Sequence, residues 1–300
     1  MELTGVYWYE DKKGSVPDPG KQAENLLLQK DIRNFTDGLS DRLDRLVEGT
    51  PDPRVVDCIQ RNLLAWTQAG ALLRTPTWSV PIAEQTKAAV ALQFIFLKLK
   101  AIGVQAPREA RRWQYDSLVA VLKAYGPGTS KSNMYVWSGV AAAAGDLVER
   151  HDDLRTYHEA AWRFAIDAIA DDGTVAVEME RGQRALVYHT FFYNAASALW
   201  NLRNALGIDT SPADAAALRR LGKAVGDAAC QPSEFARRAG AQQEPLDRWN
   251  LAMAWSFAAR FNSDAWKRCT KAPDRFPGAG WGGRFDLTVK SMERTSSPGK

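Results

Sequence analysis

Apolar residues recur along this chain mostly at helical spacing. Over residues 21–48, Leu28, Ile32, Phe35, Leu39, Leu43 and Leu46 follow at steps of three and four, which is one face of a helix. Pro51 and Pro53 end that run. A second helix is predicted over 54–73, with Val55, Ile59, Leu63 and Trp66 on its apolar face, and Thr75-Pro76-Thr77 breaks the chain after it. A third follows Pro81 and runs to Ala101. A fourth, over 107–125, carries Trp113, Leu118 and Leu122 and stops at Gly126-Pro127-Gly128. An Ala-rich helix over 134–149 comes next, and its small residues, Gly139 and 141–145, imply close helix packing. Another covers 153–170. Asp171-Asp172-Gly173 reads as a turn, and the β-branched stretch 174–177 as a short strand or an extended connection. A helix opening in the stretch 181–189 continues through Phe191, Phe192, Ala196, Leu199 and Leu202 to Gly207. Helices over 212–229, 233–238 and 246–261 complete the series. The Gly- and Pro-rich tail around Trp281 is predicted as coil, with one short strand near 285–289.

The pattern is therefore all-α. No βαβ alternation and no phosphate-binding Gly loop interrupts it. Helices of this length joined by short loops pack as antiparallel hairpins around one core. No fixed-period repeat and no linker divides the chain, so a single domain over 1–300 is expected. Residues 1–20, with Tyr7-Trp8-Tyr9 ahead of Asp11-Lys12-Lys13-Gly14, Pro17 and Pro19, read as an N-terminal arm or lid loop over a cleft. Residues 271–300 read as a mostly irregular tail.

Composition narrows the class only a little. In 300 residues, 45% are hydrophobic and 25% charged, normal for a globular protein with a large core. No apolar run reaches membrane-spanning length, so no membrane span is expected. The net charge of +4 favours an anionic partner but is too dispersed for nucleic acid. Three widely spaced cysteines, Cys58, Cys230 and Cys269, and three histidines give no metal-ligand spacing, so no metal and no cofactor are expected. One disulfide with a free thiol and three buried thiols both fit. Eleven tryptophans suit flat, partly apolar ligands such as sugar rings, although core packing accounts for most of them. A monomer is expected.

The candidate chemistry sits in Arg181-Gly182-Gln183-Arg184-Ala185-Leu186-Val187-Tyr188-His189. On a helix, Arg181, Arg184 and Tyr188 share a stripe. A guanidinium holds a carboxylate by two parallel hydrogen bonds, and a phenol beside positive charge serves as a base. The combination suits removal of a proton next to a sugar carboxylate. The plainer alternative is an exposed helix face with a Tyr at the core edge. Asn133, ahead of the Ala-rich helix, is a second candidate; its plainer role is a helix cap.

With these two segments in hand, the chain resembles the alginate lyase family of polysaccharide lyases. The family's second signature, Arg-Arg-Gln-Arg-Ala-Leu-Ala-Tyr-His, is close to residues 181–189. Its first, Asn-Asn-His-Ser-Tyr-Trp, falls on Ser132-Asn133-Met134-Tyr135-Val136-Trp137. The segment 65–72 and the surroundings of Trp255 are similar as well. The resemblance implies an incomplete α/α toroid of paired helices. It implies β-elimination on an acidic, uronate-containing polysaccharide, either mannuronate-type alginate or a related glucuronate-containing exopolysaccharide. Tyr188 falls on the catalytic tyrosine, Arg181 on the catalytic arginine and Asn133 on the catalytic asparagine. Arg184, His189, Met134, Tyr135, Trp137, Gln183, Trp255 and Trp281 are the candidate substrate-contacting set; for each aromatic singly core packing is the plainer role, with Trp281, in its Gly-rich loop, the favoured sugar platform.

One departure stands out. The family's catalytic histidine falls on Met134, whose thioether neither takes a proton from carbon nor neutralises a carboxylate. The enzyme is then restricted to eliminations that one tyrosine can perform, or another base such as His189 or an arm residue substitutes, or the site is dead. The competing readings are a catalytically impaired carbohydrate-binding homologue and a structural helical toroid. A periplasmic or secreted location is expected, with the leader absent from this sequence; a cytoplasmic one stays open.

Overall fold

The computed structural model describes residues 5–126, 129, 131–258, 268, 270–271 and 280–296. Pro127, Gly128, Phe261, Cys269 and most of the Pro- and Gly-rich tail before Gly280 lie outside the described residues. Of the cysteines described, Cys58 is a free thiol and Cys230 is disulfide-bonded.

Thirteen α-helices are described: α1 (Pro19–Leu28), α2 (Lys30–Glu48), α3 (Pro53–Gln68), α4 (Ser79–Ala101), α5 (Arg108–Lys123), α6 (Asn133–Val148), α7 (Asp152–Asp167), α8 (Ala176–Met179), α9 (Ala185–Ala205), α10 (Pro212–Cys230), α11 (Ser233–Ala239), α12 (Arg248–Ala258) and α13 (Phe285–Ser296). A 3-10 turn, Gly182–Arg184, leads into α9. No strand occurs among the described residues beyond two isolated bridges, Tyr9 with Pro17 and Ile169 with Val175.

The helices form two layers. α4, α6 and α9 are apolar on nearly every side, the signature of helices buried all round. They pack side by side, α6 between α4 and α9, and α12 continues the row on α9. Outside them lie the amphipathic helices: α2 against α4, α5 against α4 and α6, α7 against α6, and α10 against α9. This alternation of inner and outer helices is an incomplete α/α toroid. α4 stitches the core together. Val90, Phe94 and Leu97 face the larger cluster with α6 and α9, while Leu92, Ile95 and Leu99 face the cluster of α2 and α3.

Close packing of α6 on α7 needs a residue without a side chain. A Cβ at Gly139 would stand 2.4 Å from the Cβ of Ala161, far inside contact distance. The small-residue expectation for α6 therefore holds.

Three expectations change. The run 21–48 is two helices, broken at the buried Gln29. The stretch 174–177 is extended only at its bridge, and α8 begins at Ala176. The strand expected near 285–289 is helix α13. A distant ion pair decides the last case. Buried Lys98 donates from Nζ to Asp44 Oδ1 at 2.6 Å and to the Gly282 carbonyl at 2.7 Å. Asp44 Oδ2 accepts from the Arg284 N–H at 2.7 Å and so docks the start of α13 on α2 and α4. No helix among the described residues is long and apolar enough to cross a membrane.

Candidate active site

The segment 176–188 enters the site as α8, a short turn and the start of α9. Gly182 takes a left-handed conformation, φ 57°, which lets the chain turn from α8 into the 3-10 lead-in. The loop before α12 braces this corner. Gln243 accepts from the Leu186 N–H at 2.8 Å and donates to the Gly182 carbonyl at 3.0 Å, while the Glu244 N–H donates to the Gln183 carbonyl at 2.8 Å.

Arg181 lies just before the helix, yet it still reaches Tyr188. Its guanidinium carbon is 4.7 Å from the centre of the Tyr188 ring, and that of Arg184 is 5.1 Å away. Two cations thus flank one half-buried phenol, a geometry in which ring and charge attract. Arg184 also donates from Nε to Glu244 Oε2 at 3.2 Å.

The N-terminal arm comes to the same place. Tyr9 Oη is hydrogen-bonded to Tyr188 Oη and accepts from Arg184 Nη1 at 2.7 Å. Arg181 Nη1 donates to the Lys13 carbonyl at 2.8 Å, and Gln183 Nε2 to the Ser15 carbonyl at 2.9 Å. Trp8 stacks on Tyr9 with ring centres 3.9 Å apart. Burial and the neighbouring Tyr188 push the Tyr9 phenol well above its ordinary range, so Tyr9 keeps its proton.

Asn133 opens α6, but Ser132 caps that helix, with its hydroxyl accepting from the Met134 N–H. Asn133 is buried and gives both its backbone N–H and its side-chain Nδ2 to Glu178 Oε1, at 2.8 and 3.0 Å. Glu178 Oε2 lies 3.8 Å from Arg181 Nε. A continuous chain of contacts thus runs from Asn133 through Glu178, Arg181, Tyr188 and Tyr9 to Arg184 and Glu244.

Several expected site residues lie elsewhere. His189 is 0% exposed. Its Nε2 accepts from the Val175 N–H at 2.9 Å and its Nδ1 donates to the Ala185 carbonyl at 2.7 Å. Burial pushes its pKa down to about 4, so it is a neutral structural imidazole and no substitute base. Trp281, the expected sugar platform, is 8% exposed and packs on Trp137 and Phe191. Gly282 and Gly283, both at positive φ, turn that loop onto Ala91, Phe94 and Asp44 and press the indole inward. Trp137 is wholly buried, and Tyr135 sits among Tyr125, Tyr157 and Phe164. Met134 is half-buried against the core, and Trp255 donates to Thr270 at 3.2 Å. Glu178, Glu244 and the specific part of Tyr9 were not singled out in the sequence. The aromatic run in a candidate lid was the one signal for Tyr9; the position three before Arg181 was available for Glu178. No cluster of metal-ligating side chains occurs among the described residues.

The helices form an incomplete toroid that brings Asn133, Arg181, Arg184 and Tyr188 into one chain of contacts, and three comparisons bear on its class. The family model described as alginate lyase matches residues 50–235, more than half of the chain, and the chain belongs to that family. A polysaccharide lyase of Stenotrophomonas maltophilia strain K279a is 29% identical over 255 residues, covering 82% of this chain and 75% of the relative. An alginate lyase of Pseudomonas putida is 25% identical over 257 residues, covering 82% and 70%. Among solved structures, alginate lyase A1-III, in a histidine-to-alanine variant complexed with a tetrasaccharide, superposes with a TM-score of 0.79 at 19% identity, covering 96% of this chain and 83% of that one. The same lyase, from Sphingomonas species A1, gives 0.73 at 1.78 Å resolution. These likenesses carry the fold.

Proposed function

We propose that the protein cleaves an acidic, uronate-containing polysaccharide by β-elimination, with mannuronate-type alginate or a related glucuronate-containing exopolysaccharide as substrate. The observation that carries this reading is the Tyr188 ring flanked by two guanidiniums, with an arm tyrosine bonded to its hydroxyl. Asn133 and Arg181 take the carboxylate at the cleavage subsite. Neutralising it makes the C5 proton more acidic and stabilises the charge that grows as that proton leaves. Tyr188, as phenolate, removes the C5 proton. The C5–H electron pair becomes the C4–C5 double bond, the C4–O4 bond breaks, and O4 leaves with the proton that Tyr188 returns.

Tyr9 has a defined place in this scheme. A Tyr188 phenolate has no proton to give, so in that state Tyr9, whose oxygen accepts from Arg184, is the donor of the pair. A phenolate at Tyr188 then meets one donated hydrogen bond and two positive charges. Residues 5–18 act as a lid that must swing aside for a polymer to enter and return to set Tyr9. The single-domain reading of 1–300 belongs to the same proposal.

Met134 favours a narrow specificity. With no histidine at that position and His189 locked in the core, Tyr188 is the base, and it serves linkages whose leaving proton and leaving oxygen lie on one face of the ring. The same residue motivates the second reading, a carbohydrate-binding homologue with impaired chemistry. Incubation with polymannuronate, polyguluronate, glucuronan and acidic bacterial exopolysaccharides, followed by absorbance of the conjugated C4–C5 double bond, separates them. A rise on a mannuronate-type or glucuronate polymer supports the lyase. Binding with no rise on any polymer supports the impaired homologue.

A further inference from the structure

The proposed elimination leaves one buried ionisable group beside the site without a task. Glu178 is 0% exposed and sits on the single turn of α8. Its Oε1 accepts two N–H bonds, both from Asn133. Its Oε2 has no hydrogen-bond partner, and the Arg181 guanidinium stands at 3.8 Å. Burying a carboxylate is expensive, and leaving one oxygen unbonded makes it more so. An acceptor for one backbone N–H could come more cheaply from a hydroxyl or a carbonyl. The carboxylate does something those would not: it tells the two ends of the Asn133 amide apart. A carboxylate oxygen accepts, so the NH2 end of Asn133 must face Glu178 and the carbonyl end must face away. One Nδ2 hydrogen is spent on Glu178, and the other has no partner among the described residues.

Resting on the lyase reading above, we propose that Glu178 is a positioning residue for the elimination. It fixes the orientation of the Asn133 amide, so that an N–H rather than a carbonyl oxygen meets the substrate carboxylate. Burial raises the Glu178 pKa, and the Arg181 charge and the two Asn133 donors oppose that rise. The side chain accepts from Asn133 in either protonation state, because a carboxylic acid still offers a carbonyl oxygen.

The test is a double-mutant cycle between Glu178 and Asn133, read in rate and in stability. Glu178→Gln keeps the acceptor and should hold kcat/KM within about threefold of wild type. Glu178→Ala frees the amide and should lower kcat/KM by about tenfold to a hundredfold, chiefly in kcat. In an Asn133→Ala background the same Glu178→Ala change should cost less than about twofold. The fall in melting temperature should persist in both backgrounds, because the Asn133 backbone N–H loses its acceptor in each. Equal rate losses in the two backgrounds, or a loss beyond about tenfold in Glu178→Gln, would overturn the proposal. Should Glu178→Ala not fold, Glu178→Asp takes its place: the shorter side chain cannot reach Asn133 and should lose rate, and a wild-type rate there would contradict the assignment. If the wild type releases no unsaturated product from any polyuronate, it is the lyase reading that fails. The cycle is then read as calorimetric affinity for mannuronate oligomers. There Glu178→Ala should weaken binding only while Asn133 is present, and equal weakening without Asn133 would overturn the positioning role.

Discussion

The two sides of the candidate site are built in different ways. The Asn133–Glu178 wall is buried, and its bonds join the start of α6 to α8. The Tyr188 wall is half-exposed and is completed by Tyr9 and Lys13, which come from an arm more than 160 residues away in sequence. Under the proposed elimination, the side assigned to the carboxylate is preorganised by packing, whereas the side assigned to proton transfer is completed by the arm. A preorganised donor loses little on binding, and an assembled one lets a long polymer enter before the site closes.

Substitutions rank the two walls. The largest expected effect is that of Tyr188→Phe, which removes base and acid together and should lower kcat by about a thousandfold or more while oligosaccharide binding is retained. Steady-state rates with parallel calorimetry check this, and near-normal turnover would remove Tyr188 from the mechanism. Arg181→Ala should cost about a hundredfold in kcat/KM, through both binding and rate, because it faces the carboxylate on one wall and the phenol on the other. Unchanged kinetics would show that it turns away from the substrate. Tyr9→Phe should lower kcat by about tenfold with little change in melting temperature, since one donor on an assembled wall is lost. A variant that melts early with its rate intact would make Tyr9 a packing residue and erase the difference between the walls. Met134→His adds a base on the fixed side and should widen the set of cleavable linkages; an unchanged product profile across the polymer panel would detach Met134 from specificity.

The smallest kinetic effect belongs to His189, which lies behind the site. Its pKa falls from 6.5 in the open chain to about 4 in the fold. The unfolded chain therefore binds the extra proton between those values, and its share of stability is lost as pH drops from about 6.5 to 4. The loss is on the order of 2–3 kcal/mol from this group. Denaturant titrations across that range should show a flatter slope for His189→Gln than for the wild type, and the rate at neutral pH should stay within about threefold. A large rate loss in a well-folded His189→Gln would return the imidazole to the chemistry.

How much of this was legible in the sequence follows from the range of the interactions. α2 and α9 were readable because apolar period and flanking Pro or Gly are local signals. Arg181, Arg184 and Tyr188 do meet, although Arg181 precedes the helix: the 3-10 turn at Gly182 preserves the shared side. Trp281 misled because a Gly-rich context ordinarily marks an exposed loop. Here the glycines are needed to bring backbone against Ala91, Phe94 and Asp44. α13 was missed for the same kind of reason, since Asp44 and Lys98 reach it across some 240 and 180 residues. His189 follows Tyr188 directly in sequence, but it lies four residues along the helix from Ala185, whose carbonyl claims its ring. Tyr9 and Glu178 became visible only once their partners were placed in space.

The most direct test of the central claim is a side-by-side time course of double-bond absorbance for wild type and Tyr188→Phe on polymannuronate, at equal concentration and with folding checked. The account predicts a steady rise for the wild type and none above background for the variant. Equal rises in both would contradict Tyr188 as the proton-transfer residue.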